Sequence, residues 1–190
     1  MLAKTRRCNF CKKKIPTENA VINGLKAFCS VDHAIAWLDT EKGQVTLKKA
    51  QAKKTKEARE KLKTKRDYAK EAQTAFNAYI RLRDADKPCI SCGRDHHGQY
   101  HAGHYRTTAA APQIRFNTWN VHKQCSVCNN HKSGNIVEYR INLINRIGIE
   151  KVEQLERNND LSCWDIEYLQ RLRRIFQKKV RIIKKIREKC

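Results

Sequence analysis

Eight residues of this chain fall into the spacings by which small proteins hold a metal. Cys8 and Cys11 are separated by two residues and are followed by Cys29 and His33, separated by three. Cys89 and Cys92, then Cys125 and Cys128, form a second set of two such pairs. Each pair is a tight knuckle or helix start that aims soft ligands at one ion, and four of them complete the tetrahedral shell of Zn2+. The spacing therefore predicts two structural zinc sites. In the second, thiolates occupy all four positions and leave none for water, so the ion there is structural and any catalytic group must lie elsewhere. The competing reading is a set of free cytosolic thiols with a surface histidine, which the paired spacing disfavours. Cys163 and Cys190 stand outside both sets and read as a packed thiol and a dispensable terminal one.

Between and just after the second pair of knuckles lie residues able to move protons and contact phosphate. They run Tyr100-His101-Ala102-Gly103-His104-Tyr105-Arg106, then Asn117-Thr118-Trp119-Asn120-Val121-His122, then Asn129-Asn130-His131-Lys132. This order resembles the HNH or ββα-metal finger nucleases, over about residues 87–140. The resemblance implies that His104 is a general base, since a neutral imidazole with a pKa near 6.5 accepts a proton at physiological pH. It implies that Asn120 braces the loop that orients this imidazole, with Asn117 the weaker candidate. It also implies one divalent cation, Mg2+ or Mn2+, that polarises the phosphate. Many such enzymes carry aspartate directly before the base, where this chain has Gly103. The expected cation ligand is then His131, with His101 and His122 as alternates, and His96 and His97 read as loop residues. Arg106, Arg115, Lys123 and Lys132 flank the site as expected phosphate contacts. The plainer reading of these histidines is that they fill a small basic domain; their joint order favours chemistry.

The elements that must position these groups follow from periodicity and breakers. Residues 4–39 are too few to bury a core without a staple, which zinc would supply. The stretch Phe28-Cys29-Ser30 followed by His33-Ala34-Ile35-Ala36-Trp37-Leu38 looks like the second half of a treble-clef or FCS-type finger, read as a docking module. From Thr46 to about Asp86 there is no proline or glycine, and lysine, alanine, glutamate and arginine dominate, which predicts one long helix or two. The first half is a solvated connector. In the second half, Tyr68, Ala72, Ala75, Phe76, Tyr79, Ile80 and Leu82 form a stripe that can dock. Residues 135–147 predict a helix with Val137, Ile141, Ile144 and Ile147 on its inner side, closed by Gly148. A short helix over 150–157 follows. Ser162-Cys163-Trp164-Asp165 resembles a capping box that opens a last helix through Leu169, Leu172, Phe176, Ile183 and Ile186. The expected fold class is α+β, small and zinc-stapled, with four parts: a treble-clef-like finger over 1–42, a basic helical connector over 43–86, the HNH domain over 87–148 and basic helices over 149–190.

Lysine and arginine outnumber aspartate and glutamate 41 to 19, a formal net charge of +22 spread along 190 residues. Such a field draws polyanions, and displacement of condensed counterions makes nucleic-acid affinity salt-sensitive. An anionic membrane surface competes as a partner, yet no apolar run approaches the roughly 20 residues of a span. Met1 to Arg7 lacks the apolar stretch of a secretory signal. A reducing cytosol fits these features.

A closer resemblance runs through most of the chain. The segments 77–84 (Asn-Ala-Tyr-Ile-Arg-Leu-Arg-Asp), Cys89-Ile90-Ser91-Cys92-Gly93, Ala102-Gly103-His104-Tyr105 and Asn120-Val121-His122-Lys123-Gln124-Cys125 are similar to the phage NinG or Rap recombination proteins. That resemblance implies an endonuclease acting on branched DNA, such as Holliday junctions and D-loops, in the cytoplasm of the bacterial host. It also implies that glycine before the base histidine belongs to the family's own motif. Symmetric junctions invite a homodimer, for which the stripe from Leu169 to Ile186 offers an interface, although packing within the chain would use it equally well. The rival classes are a non-catalytic zinc-stabilised DNA-binding protein or junction clamp, which needs the cysteines and basic helices but not His104, and an RNA-binding protein.

Overall fold

The computed structural model describes residues 5–161 and 164–189, and the chain divides into two units between Leu62 and Lys63. In the first unit, strands β1 (Thr5–Arg7) and β2 (Lys14–Pro16) form an antiparallel hairpin whose turn carries Cys8 and Cys11. Lys12 adopts a positive φ of 64° there, and the Cys8 N–H donates to the Lys13 carbonyl at 2.8 Å, which closes the knuckle. A second hairpin pairs β3 (Val21–Asn23) with β4 (Lys26–Phe28). Helix α1 (Val31–Leu38) follows at once, capped by the Ser30 hydroxyl, which accepts from the His33 N–H. The cap places His33 in the first turn, beside Cys29. The apolar core of this unit is small, centred on Cys8, Phe28 and Trp37, so a metal is the natural source of its missing folding energy. Helix α2 (Glu41–Lys61) starts on a Thr40 cap and is solvated along nearly its whole length.

The second unit opens with α3 (Lys65–Arg83), started by a reciprocal capping box between Thr64 and Asp67. The predicted continuous helical stretch is thus two helices, interrupted near Leu62. The connector expected over 43–86 is shared between the units, α2 falling in the first and α3 in the second. The stripe expected on α3 is the buried one, with Tyr68, Ala72, Ala75, Phe76 and Ile80 all inside. It packs along the last helix, here α6, so α3 and α6 form one wall of the unit.

Strands β5 (Tyr100–His104) and β6 (Val121–Cys125) form the two-stranded antiparallel sheet at the centre, in the register His104 with Val121, Gly103 with His122 and Tyr100 with Cys125. Residues 127–131 make one wide π-type turn after β6. Helices α4 (Ile136–Ile147) and α5 (Ile149–Arg157) follow, and α6 spans Ile166–Arg187. Ala102 and Val121 enter the α3 and α6 core, where the Phe76 ring meets those of Phe116 and Phe176 edge-on at 5.8 and 4.9 Å. A second core joins Ile90, Tyr105 and Ile114 to Tyr139, Leu143, Val152 and Leu155.

Two expectations change. On α4 the buried residues are Tyr139 and Leu143, supported by Ile144 and Ile147, whereas Val137 and Ile141 are 73% and 51% exposed. Tyr139 turns the helix because its hydroxyl donates to the buried Gly103 carbonyl at 2.9 Å, so a polar tip is satisfied while the ring fills the core. Helix α6 is capped by Asp165 itself, which accepts from the Tyr168 N–H at 2.7 Å. Ser162, Cys163 and Cys190 lie outside the described residues. Of the stripe read on α6, Leu169 and Phe176 are buried within the unit, and Ile186 is exposed. Among the described residues, no helix is long and apolar enough to cross a membrane.

One ionic node ties the end of α3 to β6. The fully buried Asp84 carboxylate accepts from the Arg83 guanidinium at 2.8 and 2.6 Å and from the Lys123 N–H at 3.1 Å. Arg83 also donates to the carbonyls of Thr118 and Val121 at 2.8 and 2.9 Å. Burial opposes ionisation of Asp84, but the polar groups facing it, His122 and Arg83, outweigh that and hold its pKa well below the usual carboxylate range. A depressed pKa contributes stability that is present above about pH 4, the unfolded value, and is lost as pH falls below it. Replacing Asp84 by alanine leaves Arg83 uncompensated and is expected to cost roughly 3–5 kcal/mol. Thermal melts between pH 2.5 and 7 check both points: the wild-type protein should lose stability below pH 4, and the variant, already destabilised, should lose less of it over that range.

Candidate metal centres and cleft

Both predicted ligand sets converge. Cys8, Cys11, Cys29 and His33 present ligand atoms within 4.8 Å of one another, and so do Cys89, Cys92, Cys125 and Cys128. In the first set Cys29 Sγ lies 3.6 Å from Cys11 Sγ, 3.8 Å from Cys8 Sγ and 2.8 Å from His33 Nδ1, while Cys8 Sγ lies 3.8 Å from His33 Nδ1. A tetrahedron with Zn–S bonds of about 2.3 Å has edges of about 3.8 Å, so the sulfur separations and the softness of the donors fit a zinc ion, with the His33 ring closer to Cys29 than a full edge. In the second set the Cys89 and Cys92 knuckle precedes the sheet and the Cys125 and Cys128 knuckle leaves β6, so an ion there would clamp one end of the sheet. His96, expected in a loop, is in one, with Nε2 3.1 Å from Cys92 Sγ.

His104 stands at the opposite end, as the last residue of β5. Its Nε2 lies 3.1 Å from the Arg115 carbonyl, which can only accept, so Nε2 carries the proton and Nδ1 is the basic nitrogen of the neutral ring. Burial lowers its pKa below the ordinary 6.5, against the opposing pull of the Arg115 carbonyl, and keeps the ring neutral near pH 7. Asn120, fully buried, accepts from the Arg106 N–H at 2.9 Å and donates to the Arg106 carbonyl at 3.0 Å. With both ends of its amide on one residue, it pins the chain just after His104. The weaker candidate Asn117 caps its own turn, accepting from the Trp119 N–H at 2.8 Å.

His104 lines a cleft of about 210 Å³ together with Thr107, Thr108, Asn129, Ser133 and Ile136. The residue that the wide turn delivers to this cleft is Asn129; His131, two places on, is exposed and does not line it. The signal that could have found Asn129 is its position immediately after the last knuckle cysteine, in the middle of the turn that carries that cysteine. His122 is enclosed: its Nδ1 lies 3.0 Å from the Arg83 guanidinium and 3.5 Å from the Asp84 carboxylate, and its Nε2 3.1 Å from the Trp119 carbonyl. Neither nitrogen is left for a cation. His101 is three residues from His104 and so on the other face of the strand, with Nε2 buried and without a hydrogen-bond partner among the described residues.

The four expected phosphate contacts separate into two kinds. Arg106 donates through one terminal nitrogen to the carbonyls of Leu155, Glu156 and Asn158, closing the C-terminus of α5. Lys123 is buried, with its ammonium on the Ala85 carbonyl at 2.8 Å and over the Tyr100 ring. Both are structural, because a fold this basic uses some cations to satisfy its own carbonyls. Lys132 is exposed, and Arg115 is half-buried beside α3. Gly103 has a physical reason of its own: a Cβ there would sit 2.0 Å from Gln124 Oε1, because the Gln124 side chain crosses this position to donate to Ser91 Oγ and the Gly134 carbonyl. Gly103→Ala is therefore expected to destabilise the protein by about 1–3 kcal/mol. Equilibrium denaturation should show that loss, with part of it recovered in the Gly103→Ala/Gln124→Ala double variant.

The chain matches the family described as Bacteriophage Lambda NinG protein over residues 1–188. Protein ninG of Escherichia phage lambda is 51% identical over 129 residues, covering 68% of this chain and 63% of that relative. Protein ninG of Salmonella phage P22 is 49% identical over 129 residues, 68% of this chain and 64% of the relative. That of Enterobacteria phage H19B is 58% identical over 106 residues, 56% of this chain and 53% of the relative. In each case the aligned segment spans less than two thirds of the relative's length. No solved structure matches this chain. With a match that runs through both cysteine clusters, the sheet and the helices around it, this chain belongs to the bacteriophage lambda NinG protein family.

Proposed function

We propose that this protein is an HNH-type endonuclease that hydrolyses phosphodiesters in branched DNA, including Holliday junctions and D-loops, in the host cytoplasm. The observation that carries the reading is the state of His104: a ring kept neutral by burial, with its Nε2 proton directed to the Arg115 carbonyl, at the edge of a cleft. Asn120 supports the reading by holding the loop after His104, as the resemblance to HNH enzymes implies. In this reading the first unit is a treble-clef-like docking module and the sheet with its following turn is the ββα-metal finger.

In the reaction His104 takes a proton from water, the water oxygen bonds to phosphorus, and the bond from phosphorus to the 3′ oxygen breaks. The 3′ oxygen takes a proton from solvent, leaving 5′-phosphate and 3′-hydroxyl ends. A bound Mg2+ or Mn2+ would polarise the phosphate and stabilise the leaving oxygen. The described cleft residues offer the amide oxygen of Asn129 and the hydroxyls of Thr107, Thr108 and Ser133, all neutral donors. A hard cation is usually held by one or two carboxylates together with substrate phosphates, so these residues fit it only in company with the DNA. The neutral cleft is also what a non-catalytic junction clamp would have, which makes that clamp the second reading.

The test compares wild type with His104→Ala on a labelled four-way junction and a matched linear duplex, with and without magnesium or manganese. The protein is kept zinc-loaded, and magnesium is omitted rather than chelated. Cutting of the junction in preference to the duplex, dependent on the added metal and reduced 100-fold or more in the variant, is the expected result. Binding without cutting under every metal would establish the clamp. Since the base must be neutral, the cleavage rate should rise with pH, reach half its plateau below pH 6.5, and be flat above about pH 7. A profile that keeps rising to pH 9 would remove His104 from the role of base.

A further inference from the structure

The outer face of α3 borders a groove of about 610 Å³ that the functional reading does not use, lined by Arg66, Lys70, Gln73, Thr74 and Asn77 with Arg115 across from them. Its polarity is fixed by a relay of hydrogen bonds. Arg115 Nε donates to Gln73 Oε1 at 2.5 Å, and Gln73 Nε2 donates to Asn77 Oδ1 at 2.7 Å. A guanidinium has no acceptor, so the direction of the whole relay follows from Arg115, and the amide group that Asn77 has left over is its donor. The Thr74 hydroxyl is spent on the Lys70 carbonyl. Arg66 and Lys70 are exposed, one helical turn apart. The one carboxylate of the described lining, Asp67, accepts from the Thr64 N–H and hydroxyl at 2.8 and 2.7 Å in the helix cap. What the groove presents is therefore three cations and an amide donor beside one carboxylate engaged in the helix cap, a net positive surface for a run of acceptor oxygens.

We propose that this groove binds the phosphodiester backbone of a DNA strand alongside the cleft. Arg66 to Asn77 spans about 16 Å of helix, the axial rise of four or five nucleotides at about 3.4 Å each. Arg115 joins the two sites, since its carbonyl orients His104 while its side chain points to Gln73 in the groove. The strand is taken as DNA on the strength of the functional reading above; the donor chemistry of the groove stands apart from it.

Fluorescence anisotropy of the full, zinc-loaded chain with a labelled four-way junction in magnesium-free buffer tests the proposal. The variants are Arg66→Ala/Lys70→Ala and Asn77→Asp, with Lys53→Ala/Lys54→Ala on α2 as a charge-matched control and thermal melts to confirm folding. The expected result is a tenfold or greater loss of affinity for the first variant, with a salt dependence shallower by about 2 in the slope of log K against log salt, close to 0.9 for each phosphate no longer neutralised. Asn77→Asp, which puts a carboxylate where a donor was, should also weaken binding, and the control should keep the wild-type slope. Groove variants that bind as the control does would overturn the proposal, whether or not the wild type cuts. Groove-dependent binding in a protein that never cuts would leave the groove standing and remove the nuclease reading alone.

Discussion

A fully buried carboxylate has to be answered by charge and hydrogen bonds from every side, and Asp84 imposes that demand at the junction of α3, the loop before β6, and β6 itself. Arg83 meets it with two bonds and has donors left, which it sends to the Thr118 and Val121 carbonyls. The same guanidinium and the carboxylate both face Nδ1 of His122, which encloses that ring. A single ion pair thereby sets where α3 ends, how the loop approaches the sheet, and the direction in which β6 starts. Since Val121 pairs with His104 in the register of the sheet, the position of that candidate base descends from the node.

The sheet is held differently at its two ends. At one, four cysteines leave their knuckles within ligand distance of a single ion, a strong constraint that admits no substrate. At the other, the constraint comes from polar groups of neutral charge: Asn120 on both backbone atoms of Arg106, and the Arg115 carbonyl on His104. Rigidity at the first end lets the second be small, open and chemically free. The length of two short strands separates the two functions, so a two-stranded sheet suffices where a larger scaffold would otherwise be needed.

The features legible in the sequence are those whose chemistry dictates spacing. A tetrahedral ion requires paired cysteines, so Cys8 through Cys128 can be read at once, and a helix without proline, glycine or a polar inner face announces Phe76 and Ile80. His104 and Asn120 stand out by motif order, and both lie at the same end of the sheet. Harder are residues whose role depends on what lies opposite. Arg106 and Lys123 look like phosphate contacts in a chain of net charge +22, yet they satisfy carbonyls of their own fold. Aliphatic periodicity misplaces the inner face of α4 because it omits Tyr139, whose hydroxyl finds a buried carbonyl only once β5 is in place. Asn129 yields to His131 in a reading by residue type because histidine is the commoner ligand, while the wide turn after Cys128 decides which side chain faces the cleft. No spacing rule reaches the Arg83 and Asp84 node, since adjacent residues of opposite charge are ordinary in any helix end.

The distribution of charge around His104 has its own logic. A base works at neutral pH only if its proton affinity stays modest, and carboxylates beside it would raise its pKa. The described cleft lining carries none, and burial adds to the effect, so the ring stays neutral although the Arg115 and Ala102 backbones pull the other way. The consequence of that choice is a cleft with little hold on a cation or a phosphate. Cations on the outer face of α3 resolve the conflict: they can attract a polyanion through a field that reaches about 8–10 Å at ordinary salt, while the nearer Arg115 charge adds to burial in holding the pKa of the ring down. Separating attraction from proton transfer in this way explains why so basic a chain keeps the surroundings of its candidate base neutral.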